Sequence, residues 1–166
     1  MTTEETPTFN GTYYQIDGAI NQPKPIQKPY PPLWVCGGGE KVTLKLLAKY
    51  GDYGNWDVDV EGFIHKSNIL KEHCKNENRN FNDIGRTLHT NVLIAETKSD
   101  LDTKIDKLAE YTNIPKDYYY ERPLIGTKDE VFNTIKEYEN EGCSYLIAYV
   151  PDIVWGDTLN ILSELN

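Results

Sequence analysis

The chain has 166 residues, 39% of them hydrophobic and 26% charged, which is enough for one domain with its own core and too little for two ordinary ones. A formal net charge of −9, with lysines scattered among acids, excludes a polyphosphate partner such as nucleic acid. No run approaches the ~18 apolar residues of a membrane span, and the polar, acidic start Met1–Thr6 is no secretory signal, so a cytoplasmic location is expected.

Residues 1–30 read as an irregular segment, with Thr12–Ile16 as a possible short extended piece. Between Asn21 and Pro32 five prolines fix φ and remove amide donors, so this stretch is extended and not helical. From 31 to 166 the pattern is regular and predicts four strand–helix units within a single domain. Leu33–Cys36 is an apolar run that stops at three glycines, a buried strand entering a tight loop. Leu44, Leu47 and Ala48 share one face of a helix over 40–50, and 51–56 is a second strand. Phe63, Ser67, Leu70 and Cys74 recur at helical spacing over about 60–75. Arg86–Ala95 is the third strand. Thr97 opens a helix whose inner face is Leu101, Ile105 and Leu108, and Thr127 to Glu130 is a capping box opening a helix lined by Val131, Ile135 and Tyr138 and closed by Gly142. Tyr145–Val150 is a buried fourth strand, and Leu159, Leu162 and Leu165 form one face of a last short helix. Such alternation predicts an α/β fold with parallel strands and right-handed crossovers, either half of a (β/α)8 barrel or a small open sheet.

The sharpest local signal is Cys36-Gly37-Gly38-Gly39-Glu40 between strand and helix. Glycines admit a ligand close to the backbone, and the following helix offers free amides and a positive dipole end to a phosphate. A glycine-rich turn without a ligand is the alternative, and Glu40 already brings negative charge there. The loop is neither a P-loop nor a G-x-G-x-x-G turn. His65 and His73 read as part of a solvated helix face. His89 lies on a strand, as a structural histidine or a group projecting into a lumen. Arg122 is either a surface residue or an anion ligand near a barrel mouth. Tyr118–Tyr120 are expected to cover a connection. Cys36, Cys74 and Cys143 are widely spaced thiols, with Cys36 expected to be buried at the strand end, and no metal site is expected.

Taken together, Phe9–Tyr14, Pro23–Gln27, Pro31–Leu44, Ala48–Trp56 and Gly126–Val131, in this order and spacing, resemble the luciferase-like monooxygenase family, above all its members that use the deazaflavin F420. The resemblance implies the C-terminal half of a (β/α)8 barrel, with strands five to eight at Leu33–Cys36, up to Trp56, Thr87–Ala95 and Tyr145–Val150. It implies an oxidoreductase or monooxygenase with F420 or FMN as cofactor and an unidentified small-molecule substrate. Cys36, Gly37, Gly38, Gly39, Glu40, Asn55 and Trp56 would contact the cofactor, with His89 and Arg122 as weaker substrate candidates. The family's catalytic and ring-stacking residues lie mainly on strands one to four, to which nothing here answers. The expectation is therefore either an enzyme incomplete alone or a non-catalytic half barrel that binds cofactor phosphate. Four strands leave two open edges, so a homo-oligomer or a partner half barrel is expected.

Overall fold

The structure is a computed structural model and describes residues 2–165. It separates into two compact units, Met1–Leu33 and Trp34–Asn166. In the first, β1 (Phe9–Asn10) and β2 (Gln15–Ile16) pair antiparallel around a turn closed by Gly11 N–H donating to Tyr14 O at 2.9 Å. Only the end of the extended piece expected at 12–16 is strand. Residues 17–33 contain neither helix nor strand, as their prolines dictate.

The second unit runs β3 (Trp34–Cys36), α1 (Thr43–Tyr50), β4 (Tyr53–Trp56), α2 (Val60–Asn76), a 3-10 turn, β5 (Gly85–Ala95), α3 (Lys98–Thr112), α4 (Lys116–Tyr120), β6 (Leu124–Thr127), α5 (Lys128–Asn140), β7 (Cys143–Tyr149) and α6 (Thr158–Leu162). All its strand pairings are parallel: β3 with β4, β4 with β5, and β5 with both β6 and β7. The first half of β5 pairs with β7 and its last four residues with β6. The four expected strands and their parallel order are present, and the fold is that of half a (β/α)8 barrel. β6 is an addition: Leu124–Thr127 extends the sheet beyond the level at which β4 ends.

Successive strand residues point to opposite faces, and β5 uses both. Val92 and Ile94 join the larger core with Leu44, Leu47, Phe63 and Leu70, while Leu93 and Ala95 join a smaller one with Leu101, Ile105, Leu108 and Tyr119. The helix-face residues expected for α1, α2 and α3 are all buried. Asp59 caps α2, Thr97 caps α3, and the Thr127/Glu130 capping box opens α5. Gly142, at φ +83, closes α5, a left-handed conformation that a side chain strains.

Two expected burials are corrected. β7 is largely exposed, with Tyr145 at 58% and Tyr149 at 63%, and in β3 Trp34 is 42% exposed. These are the two outer strands of the barrel arc, so an apolar run that would be covered on both sides in a closed barrel here meets solvent. In α6 Leu162 packs against the larger core as expected, but the buried residue beside it is Ile161 and Leu159 is 46% exposed; the Thr158 hydroxyl, which accepts from Ile94 N at 3.0 Å, anchors the start of the helix in this orientation.

Candidate functional site

β3 delivers the chain into the glycine loop at the C-terminal end of the sheet, where ligand sites of parallel α/β folds lie. Gly37, at φ +102, makes the turn and donates its amide to Asn55 O at 3.2 Å, tying the loop to the end of β4. Gly38 O accepts from Lys66 Nζ at 2.8 Å. A Cβ on Gly38 would stand 2.6 Å from Lys66 Cε, so the missing side chain is what lets this lysine lie on the loop. Gly39 O accepts from Leu44 N at 3.0 Å. The amides of Gly38, Gly39 and Glu40 donate to no acceptor among the described residues.

α2 brings two more groups to the same place. His65 Nε2 lies 3.0 Å from Glu40 Oε1, and His73 Nε2 donates to Glu40 O at 2.8 Å. Lys66 Nζ is 3.8 Å from the same carboxylate oxygen, with its side chain 15% exposed. The expected solvated face of α2 is thus in part a brace for the glycine loop. Separations of 25 to 33 residues hide such contacts from local pattern.

Asn55 ends β4 beside Cys36, its register partner, and its Oδ1 accepts from the Thr87 hydroxyl at 2.9 Å. Trp56 points the other way. It is 2% exposed, packs edge-on against Phe63 with centroids 5.3 Å apart, and its indole nitrogen has no hydrogen-bond partner among the described residues. Alternation puts Trp34, Cys36, Tyr53, Asn55 and His89 on the open face of the sheet, opposite the helices. Cys36 is exposed there, against the burial expected of it, because β3 is an outer strand with a sheet neighbour on one side only. Trp34 stacks on Tyr53 at 4.5 Å, and its ring also meets Tyr145 of β7 edge-on at 6.0 Å. In a flat sheet strands three places apart lie about 14 Å apart, so this contact marks the open face as concave. His89 is exposed on that face, in register with Ile147.

Arg122 joins none of these. Its guanidinium bonds Asp57 Oδ2 at 2.8 Å and lies 4.3 Å from the centre of the Tyr118 ring, where it holds the loop after β4 to the connection before β6. The three tyrosines divide: Tyr119 is buried in the smaller core, Tyr118 lies under Arg122, and Tyr120 donates to Asp102 at 2.6 Å. A further cluster had no local signal. Lys104 on α3 donates to Asp152 Oδ2 at 2.9 Å and also bonds Asp157, while the Asp152 side chain is fully buried and Thr158 donates to it at 2.8 Å. Burial pushes the Cys143 thiol up and the Arg86 guanidinium down. Among the described residues no group of three or more acidic, histidine or cysteine side chains could hold a metal, and no helix is long and apolar enough to cross a membrane.

The family model described as luciferase-like monooxygenase matches residues 1–112. Among solved structures, an F420-dependent secondary alcohol dehydrogenase in complex with an F420–acetone adduct is 16% identical with a TM-score of 0.77, over 99% of this chain and 56% of that one. Riboflavin lyase with modified FMN and riboflavin is 13% identical with a TM-score of 0.73, over 96% and 47%. The coenzyme F420-dependent tetrahydromethanopterin reductase of Methanopyrus kandleri is 15% identical with a TM-score of 0.66, over 92% and 54%. This chain spans about half the length of these structures. No curated protein matches it.

Proposed function

The chain belongs to the luciferase-like monooxygenase family, and from that premise we propose that it serves a flavin- or F420-dependent oxidoreductase, contributing the phosphate end of the cofactor site. The observation that carries the reading is the loop Gly37–Glu40. The amides of Gly38, Gly39 and Glu40 have no acceptor among the described residues, and the Lys66 ammonium lies on the same loop, bonded to Gly38 O, at the C-terminal end of a parallel strand. That donor set fits a phosphate, since amides supply directed hydrogen bonds and Lys66 supplies charge. Cys36 and Asn55 border the loop on the concave face, and Trp56 supports β4 from the core behind it. Bound reduced flavin or F420 supplies hydride transfer or oxygen chemistry. The residues of this chain hold the phosphate, brace the loop through His65 and His73, and present an aromatic wall of Trp34 and Tyr53. His89, exposed on that wall, is the candidate for contact with substrate; Arg122 serves the loops around it. The cofactor is F420 or FMN, and the protein works in the cytoplasm.

A second reading is an assembly module that binds phosphate without turnover. The exposed outer strands β3 and β7 favour it.

The test is titration of FMN and F420 into the native chain and into Gly38→Val, with circular dichroism showing both folded. Valine at 38 displaces Lys66 from the loop, so affinity should fall about tenfold or more, the loss of one charge-assisted contact. If the native chain binds neither cofactor, the reading fails. If both proteins bind equally, the loop is only a turn.

A further inference from the structure

Two side chains of opposite charge lie on the glycine loop. Lys66 reaches it from α2, bonded to Gly38 O at 2.8 Å with its side chain 15% exposed. Glu40 belongs to the loop itself, and its Oε1 stands 3.8 Å from the same ammonium. α2 holds this residue at both ends. His65 Nε2 lies 3.0 Å from Glu40 Oε1, and His73 Nε2 donates to Glu40 O at 2.8 Å. A carboxylate fixed beside a phosphate site opposes binding in proportion to the charge of the phosphate. It therefore acts unequally on phosphates of different charge.

We propose that Glu40 is a specificity-determining residue of this loop, selecting a phosphate with one negative charge over a phosphate with two. That selectivity rests on the phosphate reading above and names the class of group the loop takes, a phosphodiester. A phosphomonoester ionises a second time near pH 6 and carries close to two charges above it. Esterifying a second oxygen removes that ionisation and leaves one charge. Of the two candidate cofactors, F420 carries its phosphate as a diester and FMN as a monoester. The loop answers a single charge. Lys66 and Glu40 cancel in formal charge, and the three amides offer directed hydrogen bonds with partial charge only.

Two physical terms set the size of the effect. The cost of taking an ion out of water grows with the square of its charge, while the attraction of Lys66 grows only in proportion to it. A second charge on the phosphate thus needs a second cation, and the loop has a carboxylate in that place. A phosphate oxygen that accepts from Lys66 at about 3 Å stands within about 7 Å of the Glu40 carboxylate. At that separation, and at a dielectric between those of a protein surface and of water, each phosphate charge loses about fivefold in affinity to Glu40. A dianion is penalised about fivefold more than a monoanion.

The experiment titrates FMN and its 5′-methyl phosphodiester into the full chain, read by flavin fluorescence at about pH 8 and low ionic strength, where FMN is doubly charged. The two probes share one ring system and differ by one charge. The native protein should bind the diester more tightly, a ratio read without any variant. Glu40→Gln keeps the shape and removes the charge. It should gain about fivefold more affinity for FMN than for the diester, and that difference should shrink as salt is added. Glu137→Gln makes the same change in net charge at an exposed position near the end of α5, where the chain turns into β7 at the opposite end of the strands. It should leave both affinities unchanged. Circular dichroism checks that all three proteins are folded. A native chain that binds FMN more tightly than the diester overturns the inference and leaves the phosphate reading standing. So does a folded Glu40→Gln that shifts both affinities alike or neither. A native chain that binds neither probe overturns the phosphate reading and the selectivity with it.

Discussion

Asp152 is the residue on which most of the C-terminal segment depends. Its carboxylate is fully buried, accepts from Lys104 and Thr158, and has one oxygen, Oδ1, without a partner among the described residues. A Cβ on Gly156 would lie 1.9 Å from Asp152 Oδ2, so the loop can wrap the carboxylate only with glycine there. Removing one member of a buried ion pair leaves the other uncompensated, a cost of roughly 3–5 kcal/mol. Lys104 keeps Asp157 and the Ile94 carbonyl, so Asp152→Ala should cost about 3 kcal/mol, read as a lower urea midpoint at unchanged slope. A loss under about 1 kcal/mol would mean that the clasp holds nothing. Residues of this kind were illegible in the sequence. Asp152 lies 48 positions from Lys104, and His73 lies 33 from Glu40, so no local spacing announces either contact. The glycine loop was legible because its three glycines, a preceding apolar run and a following helix are contiguous. The position needing φ > 0 was not; it is Gly37, while Gly38 is kept free of a side chain by Lys66.

At the level of elements, period and caps carried the reading. Four-residue spacing located the buried faces of α1, α2 and α3, and the Thr127/Glu130 pair located the start of α5. β6 escaped because Leu-Ile-Gly-Thr is only four residues, adjoins that capping box, and is a strand only through its pairing with the end of β5. The outer strands were misjudged for a different reason: an apolar run reports that a strand is suited to being covered, not which segment lies over it. The capping box itself is testable by pH. Lys98, then the Thr127 amide and hydroxyl, hold the Glu130 carboxyl down at about 2 from an ordinary 4.5. A depressed acid stabilises the fold fully above its unfolded value and loses that contribution as pH falls through its folded value. The Lys98 pair is exposed, at 65% and 51%, and so contributes little; the cap is worth about 1 kcal/mol. Glu130→Ala should therefore melt below the native protein at neutral pH. The gap should be constant down to about pH 4.5 and close toward pH 2. A gap independent of pH over that range would show that the charge of Glu130 plays no part.

At the scale of the whole molecule, two electrostatic terms oppose each other. A formal net charge of −9 repels itself when the chain is compact and so favours unfolding. Exposed ion pairs such as Lys98–Glu130 and Lys116–Asp106 act the other way, but each contributes little because water screens it. Salt weakens both, over a Debye length of about 8–10 Å at physiological strength. The self-repulsion is the larger sum, since acids outnumber bases 26 to 17. Melting temperature should therefore rise as sodium chloride is added from low ionic strength, read by circular dichroism. A melting temperature that falls over the same range would show that the surface ion pairs outweigh the repulsion of the net charge.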